Sequence, residues 1–241
     1  MTTIARPLIT VTNIIWSYDA TTKQVNVLLI RRSDAPFANY WALPETALRT
    51  DESAHEAALR LVREKIGLAL PAVHAEQLAT FTAPDRVPGE RALALSYMTF
   101  LPQRPQLVSG NGANDAQWFA LGRQPSGTFI FSHQKLQFHT LQPNEYLRDQ
   151  TPTTGLAFDH NWILTVACTR IANKLDYQPT ILLILGSAFT LKQARHIFAA
   201  FGHDEPDNSN FLRDHANLFK PTGTTTRTGV GRPAKTYVLT V

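Results

Sequence analysis

The chain has 241 residues, enough for one large domain or two small ones with an ample core. Hydrophobic residues make up 44% and charged residues 17%, the balance of a folded globular protein rather than a disordered one. The formal net charge is +4, and the whole excess falls in Asn208 to Val241, where Arg213, Lys220, Arg227, Arg232 and Lys235 stand against Asp214 alone. A local basic patch of that kind suits nucleic acid. The single Cys168 permits no internal disulfide, which fits a reducing cytoplasm. The longest apolar run, Ile181 to Leu185, is too short to cross a bilayer, and no signal pattern opens the chain, so no membrane partner is expected.

In chain order, Ile9, Val11, Ile14, Ile15 and Trp16, a polar turn over Asp19 to Lys23, and Val25 to Ile30 predict two paired strands. Arg31 and Arg32 end the second. Trp41-Ala42-Leu43-Pro44 reads as a strand end and a loop. Ser53 with Glu56 makes a capping box, and Ala54, Ala57, Ala58, Leu61 and Val62 then recur at helical spacing until Gly67. Val73 to Thr82 and Arg91 to Leu101 predict strands, separated by a charged, proline-bounded loop that carries Asp85, Arg86 and Arg91. Ala116-Gln117-Trp118-Phe119 continues a mixed sheet. In residues 122 to 155, Phe129-Ile130-Phe131 and Leu136 to Leu141 read as a strand or a helical turn, but polar, Pro and Gly residues dominate and the stretch reads as an insertion of a few tens of residues.

From Leu156 the spacing of Ile163, Val166, Ala167, Ile171 and Leu175 predicts a helix with Asp159 as its N-cap, placed to link or brace two domains. His160 has no partner ligands nearby and is read as structural or capping rather than metal-binding. Beyond it lie a short apolar helix at Thr180 to Leu185, a second from Leu191 to Phe201 capped by Phe189-Thr190, and a third from about Ser209 to Leu218. Phe211, Leu212, His215 and Leu218 face inward on the third helix, and Asn208, Ser209, Asn210 and Arg213 outward. A turn at Gly229-Val230-Gly231 and a strand from Lys235 to Val241 complete the order of a winged helix-turn-helix.

In that architecture the third helix enters the major groove. Asn210 and Arg213 are of the types that read adenine and guanine edges, and Lys220, Arg227 and Lys235 suit phosphates. Gly231-Arg232-Pro233 reads either as an extended Arg that enters a narrow minor groove or as a plain hairpin turn.

The stretch Trp41 to Leu68 resembles the Nudix box, the signature of enzymes that hydrolyse nucleoside diphosphates linked to another group. Glu52, Arg60, Val62, Glu64, Gly67 and Leu68 fall on its positions, whereas Thr46, Leu61 and Lys65 replace a Gly and two Glu. Leu61, Glu64 and Lys65 stand at i, i+3 and i+4, the face where such a box gathers divalent cations. One carboxylate, one alkyl group and one ammonium disfavour magnesium, so no metal and no catalytic residues are expected. Lys65 can meet a phosphate directly.

A Nudix-like domain followed by a winged helix, with Leu156-Ala157-Phe158-Asp159-His160 at the junction and Gly231-Arg232-Pro233-Ala234-Lys235-x-Tyr237 near the end, resembles the Nudix-related transcriptional regulators of bacterial NAD metabolism. The resemblance implies an α+β fold: an N-terminal Nudix-like α/β/α sandwich with a mixed sheet over 1–150, a linker helix over 151–176 and a winged helix over 177–241. It implies a homodimer on a double-stranded palindromic operator, repressing genes of NAD synthesis or salvage until ADP-ribose or a related nucleotide binds. Arg31, Arg60, Glu64 and Lys65 are then ligand groups. Asp85, Arg86 and Arg91 are further ligand groups or part of a solvated loop. Glu45-Thr46 replaces the usual Gly-Gly and leaves the effector open. The alternative is a working Nudix hydrolase of ADP-ribose.

Overall fold

The computed structural model describes residues 6–66, 69–71, 74–102, 104–105, 107, 113–142, 155–203, 207–226 and 233–240. The expected first hairpin is β1 (Leu8–Asp19) and β2 (Gln24–Arg32), paired antiparallel from Trp16↔Val27 to Asp19↔Gln24. Beyond Trp16 the two strands splay, and the gap is filled by β3 (Trp41–Ala42), which pairs with β2, and β4 (Glu45–Ala47), which pairs with β1. Helix α1 (Ala54–Ile66) follows, then β5 (Ala75–Phe81), β6 (Ala92–Leu101) and β7 (Ala113–Arg123). The sheet runs β5-β6-β1-β2-β7 and is mixed, because β1 and β6 are parallel.

Residues 122–142 correct the expectation of an insertion. They form β8 (Phe129–His133) and β9 (Leu136–His139), which extend the sheet beyond β7 and bury Phe129, Phe131 and Phe138. Each strand is short and set among turn residues, so its alternation is weak in sequence, and pairing of β8 to β7 and of β9 to β8 supplies what periodicity does not. Residues 143–154 of the same stretch lie outside the described residues.

Strand alternation sorts the core into two layers. Ile15, Leu28 and Trp118 meet Leu61 and Val62 of α1 on one face. Ile14, Trp16, Val27, Leu29 and Phe119 face the other way, onto α2 (His160–Lys174) through Ile163, Leu164, Ala167 and Ile171. The same apolar cluster continues into the C-terminal unit through Ile181, Leu182, Ile197, Phe198 and Phe211. That unit comprises a 3₁₀ helix (Thr180–Leu185), β10 (Phe189–Thr190), α3 (Leu191–Ala200), α4 (Asn208–Asp214), β11 (Phe219–Thr226) and β12 (Ala234–Leu239). Trp16 and Phe201 meet edge to face at 5.9 Å, which ties sheet to helix-turn-helix by packing rather than by a tether. Gly202 has φ +94 and lies against Arg123 of β7, whose guanidinium carbon is 2.5 Å from where a Cβ would stand. The positive φ is what favours glycine at this turn, since the end of the Arg123 side chain can shift.

Two further expectations change. Helix α4 stops at Asp214 rather than running to Leu218, because His215 leaves helical geometry and Phe219 already pairs in β11. Asp159 stands at the N-cap position of α2 as expected, but its carboxylate makes no capping bond and is taken by Arg86 instead.

Candidate functional site: an arginine-centred box, an aromatic cleft and a winged helix

The capping box forms as expected: Ser53 N donates to Glu56 Oε2 at 2.7 Å and Glu56 N to Ser53 Oγ at 3.2 Å. This start fixes α1 so that Arg60 turns under the preceding loop. Its Nε and Nη2 donate to the two oxygens of Glu52 at 2.7 and 2.6 Å, Nη2 also to the Ala47 carbonyl at 3.1 Å, and Nη1 to Thr46 Oγ1 at 3.2 Å and Glu64 Oε2 at 3.0 Å. The Arg60 side chain is 6% exposed. Every guanidinium nitrogen is therefore used inside the protein, which corrects its assignment as a ligand group. The hydrogen bonds from Arg60, against the opposing effect of burial, hold the Glu52 carboxyl down at about 2. Glu64 is shared between Arg60 and Arg49, whose Nη2 lies 3.3 Å from Oε1. Lys65 is half-buried beside it. Leu61, which stands at i to Glu64 at i+3 but also belongs to the apolar spacing of α1, is buried in the core beside Val62, as that spacing predicts.

A cleft of about 590 Å³ opens elsewhere on the sheet, lined by Arg31, Tyr40, Trp41, Asp115, Leu136 and Phe138 among others. Arg31 pairs with Trp41 across β3 and with Asp115 across β7, so three strands converge there. Its Nε donates to the Asn39 carbonyl at 3.2 Å and the residue stays exposed. Of the ligand groups expected from sequence, only Arg31 lines this cleft. Tyr40, Trp41, Asp115 and Phe138 were missed. The pairing of Asp115 with Arg31 follows from strand register, and β9 falls where Leu136 to Leu141 read as either a strand or a helical turn.

The segment Leu156 to His160 docks against the loop that carries this cleft. Leu156 bridges Trp41, Ala157 N donates to the Trp41 carbonyl at 2.8 Å, and Leu43 N donates to His160 Nδ1 at 3.0 Å. His160 is wholly buried, and burial, with Arg86 and Arg32 near, pushes its pKa well below the usual imidazole range. It is a neutral structural histidine, as expected. Phe158 and Phe37 meet edge to face at 5.0 Å, both with left-handed backbone, and Arg32 lies over the Phe158 ring at 4.7 Å.

Arg86 is also corrected: its side chain is 1% exposed and grips Asp159 through two bonds of 3.0 and 2.8 Å. A charge that deep is held by its partner, which leaves no bidentate fork for a ligand. Arg91 spends Nη1 on the carbonyls of Thr82 and Ala83, closing the base of its loop, and Asp85 is exposed on that loop. The expected ligand set is thus dispersed over three places rather than gathered in one.

At the C-terminal unit, Thr190 and Gln193 make a full capping box on α3. Asp207 caps α4 by accepting from Ser209 N and Asn210 N. Asn208, Ser209 and Arg213 are exposed, as are Lys220 on β11 and Lys235 on β12. Asn210 is half-buried and its amide donates to Asp207 Oδ2 at 2.9 Å, so it must change partner to read a base. Arg213 pairs with Asp214 at 3.0 Å in full view of solvent. Arg227 and Arg232 lie outside the described residues, as do Gly67 and Leu68 of the box. Asp176, just past α2, meets His215 at 3.1 Å and His203 at 3.5 Å, joining that helix to both sides of the helix-turn-helix.

The NUDIX domain family matches residues 9–130, just over half of the chain. The chain belongs to the Nudix family. A second family, the NrtR DNA-binding winged helix domain, matches residues 181–239, so this Nudix chain is of the NrtR type. A MutT/nudix family protein from Enterococcus faecalis has a similar structure throughout, with a TM-score of 0.83 and 31% identity, covering 100% of this chain and 89% of that one. The structure of Shewanella oneidensis NrtR complexed with a 27mer DNA aligns with a TM-score of 0.70 and 25% identity over 96% of this chain and 93% of that one. Among curated relatives, the ADPR responsive transcriptional repressor NtrR of Acinetobacter baylyi is 26% identical over 201 residues, 82% of this chain and 68% of the relative. An ADP-ribose pyrophosphatase from Methanocaldococcus jannaschii is 30% identical over 114 residues, 47% of this chain and 64% of the relative.

Nudix hydrolases use divalent cations held by helix carboxylates, and the residues of this Nudix box do not fit that role. Glu64 has both oxygens bonded to arginines, Leu61 is buried in the core, and Lys65 adds a positive charge. Among the described residues, no group of three His, Cys, Asp or Glu is placed to hold a metal ion. No described helix is long and apolar enough to cross a membrane.

Proposed function

We propose that the chain is a DNA-binding transcriptional repressor whose Nudix domain senses ADP-ribose or a related nucleotide and does not hydrolyse it. One observation carries the reading: the wall of the cleft is hydrogen-bonded to the start of α2, and the end of α2 is bonded to the helix-turn-helix. Trp41 and Leu43 hold Ala157 and His160, and Asp176 holds His203 and His215. A ligand in the cleft can therefore bias the arrangement of α4, provided it binds one arrangement better than the other.

The chemistry of the cleft suits a nucleotide. Arg31 can take a phosphate, the rings of Tyr40, Trp41 and Phe138 can stack on a base, and Asp115 can accept from ribose hydroxyls. Asn208, Ser209 and Arg213 offer the major-groove face, with Lys220 and Lys235 on the wing for phosphates. The family resemblance and the relative described as an ADPR responsive repressor support the same reading. A homodimer on a palindrome would set two α4 helices roughly 34 Å apart, one turn of DNA.

Fluorescence anisotropy on duplexes from upstream of its own gene and of genes for NAD synthesis or salvage tests this. The expected result is salt-sensitive binding to one palindromic sequence, relieved by ADP-ribose, with no AMP formed when magnesium is added. The identity with an ADP-ribose pyrophosphatase favours a second reading, hydrolysis. Release of AMP at ordinary enzyme turnover, abolished by Glu64→Gln, would decide for that reading.

A further inference from the structure

We propose that Arg195 of α3 sets which base Asn208 reads: it holds the carbonyl end of the Asn208 amide, so the side chain meets DNA as a hydrogen-bond donor and selects guanine over adenine. The proposal rests on the DNA-binding role above and adds the base edge that the first turn of α4 recognises. Arg195 Nη1 donates to Asn208 Oδ1 at 2.9 Å, a bond that joins α3 to α4. Asn208 itself is exposed. An amide has one end that accepts and one that donates, and pinning the accepting end on α3 turns the donating end away from it. An adenine edge presents N7 as an acceptor and N6 as a donor, so asparagine reads it with both ends at once. That pairing requires the Arg195 bond to break. A guanine edge presents O6 and N7, two acceptors, and the two N–H groups of a pinned Asn208 meet it without that rearrangement.

The rest of the turn leaves this role to Asn208. Asn210, the other amide on α4, is half-buried and gives its Nδ2 to Asp207 Oδ2 at 2.9 Å. Asp207 also accepts from Ser209 N at 2.8 Å and Asn210 N at 3.0 Å. The backbone bonds from Asn210 and Ser209, with the charges of Arg195 and Arg213 added, hold its carboxyl below the usual carboxylate range, so it stays an acceptor and keeps the Asn210 amide engaged. The adenine-reading geometry expected of Asn210 is thus tied up at the cap. Arg195 is a positioning residue, acting on the base through Asn208.

A selection from a random duplex pool with the full chain defines the bound half-site. Fluorescence anisotropy on that duplex, with each G·C pair changed in turn to A·T, then tests the proposal. At one position of the half-site guanine should be favoured over adenine by about tenfold. Asn208→Ala should abolish that preference, and Arg195→Ala should reduce it to about threefold or less, because the freed amide can turn to adenine. Asn208→Asp keeps an acceptor for Arg195 and loses the donors, so it too should lose the guanine preference, with the fold intact. A loss in Arg195→Ala that falls equally on every duplex, with the guanine preference unchanged, overturns the proposal and leaves DNA binding standing. Adenine favoured at the position that depends on Asn208, or no position that depends on it, also overturns the proposal. Failure of the wild-type chain to enrich or bind any duplex sinks the DNA-binding reading and this proposal with it.

Discussion

At the Nudix helix, Arg60 is 6% exposed and each nitrogen of its guanidinium is bonded to Glu52, Glu64, Thr46 or the Ala47 carbonyl. At the cleft, Arg31 is exposed and gives a hydrogen bond to the Asn39 carbonyl from Nε, beside Tyr40, Trp41 and Asp115. Both arginines belong to the same expected ligand set, and their surroundings divide them. A guanidinium whose donors are saturated holds a loop to a helix; one with donors turned to a cleft can hold a ligand. The arginine of the Nudix box ties a loop to a helix here, and the arginine of the cleft keeps donors that face solvent.

The largest expected effect breaks the box. Arg60→Ala leaves Glu52 and Glu64 without their buried partner and should cost about 3–5 kcal/mol in denaturant unfolding. Its pH dependence has a definite sign. The Glu52 carboxyl is depressed from 4.5 to about 2, so its contribution is complete above pH 4.5 and is lost as pH falls towards 2. Glu52→Gln should flatten stability over that window; an unchanged acid limb would remove Glu52 from the network.

A smaller and different effect is expected at the cleft. Arg31→Ala should weaken ADP-ribose binding about tenfold, or about 1.4 kcal/mol, with the thermal midpoint nearly unmoved. If Arg31→Ala instead unfolds the protein as Arg60→Ala does, the contrast between the two arginines is wrong. The smallest stability effect belongs to the winged helix. Arg213 and Asp214 are exposed, with side chains 71% and 51% accessible, so Arg213→Ala should change unfolding by less than about 0.5 kcal/mol. The same variant should lose affinity for the operator and retain binding to unrelated duplexes, as a base contact requires. Equal losses on all DNA would make Arg213 a phosphate contact.

The legible parts of this chain are those written in neighbouring residues. The β1–β2 hairpin, the Ser53–Glu56 cap, α1 and the Thr190 cap of α3 each depend on groups a few residues apart, and each stands where expected. The site was less legible. Arg86 reads as an exposed loop residue because nothing near it in sequence reveals Asp159, its partner 73 residues on. Leu61 reads as a lost metal position, although its burial against Ile15 and Leu28 depends on how α1 rolls on the sheet.

The sequence by itself determined the two-part architecture, the substitutions at Thr46, Leu61 and Lys65, and the concentration of positive charge in the last segment. Periodicity, capping and composition are local, and they survive without any knowledge of contacts. Tertiary structure alone decided which charges are spent and which remain for a ligand. It joined β2, β3, β7 and β9 around one cleft, drew Arg60 and Arg86 out of solvent, and ran a single apolar cluster from the sheet through α2 into the winged helix. The physical reason is that a guanidinium exposed in water and one buried against a carboxylate are the same letter, and only the partner brought by the fold tells them apart.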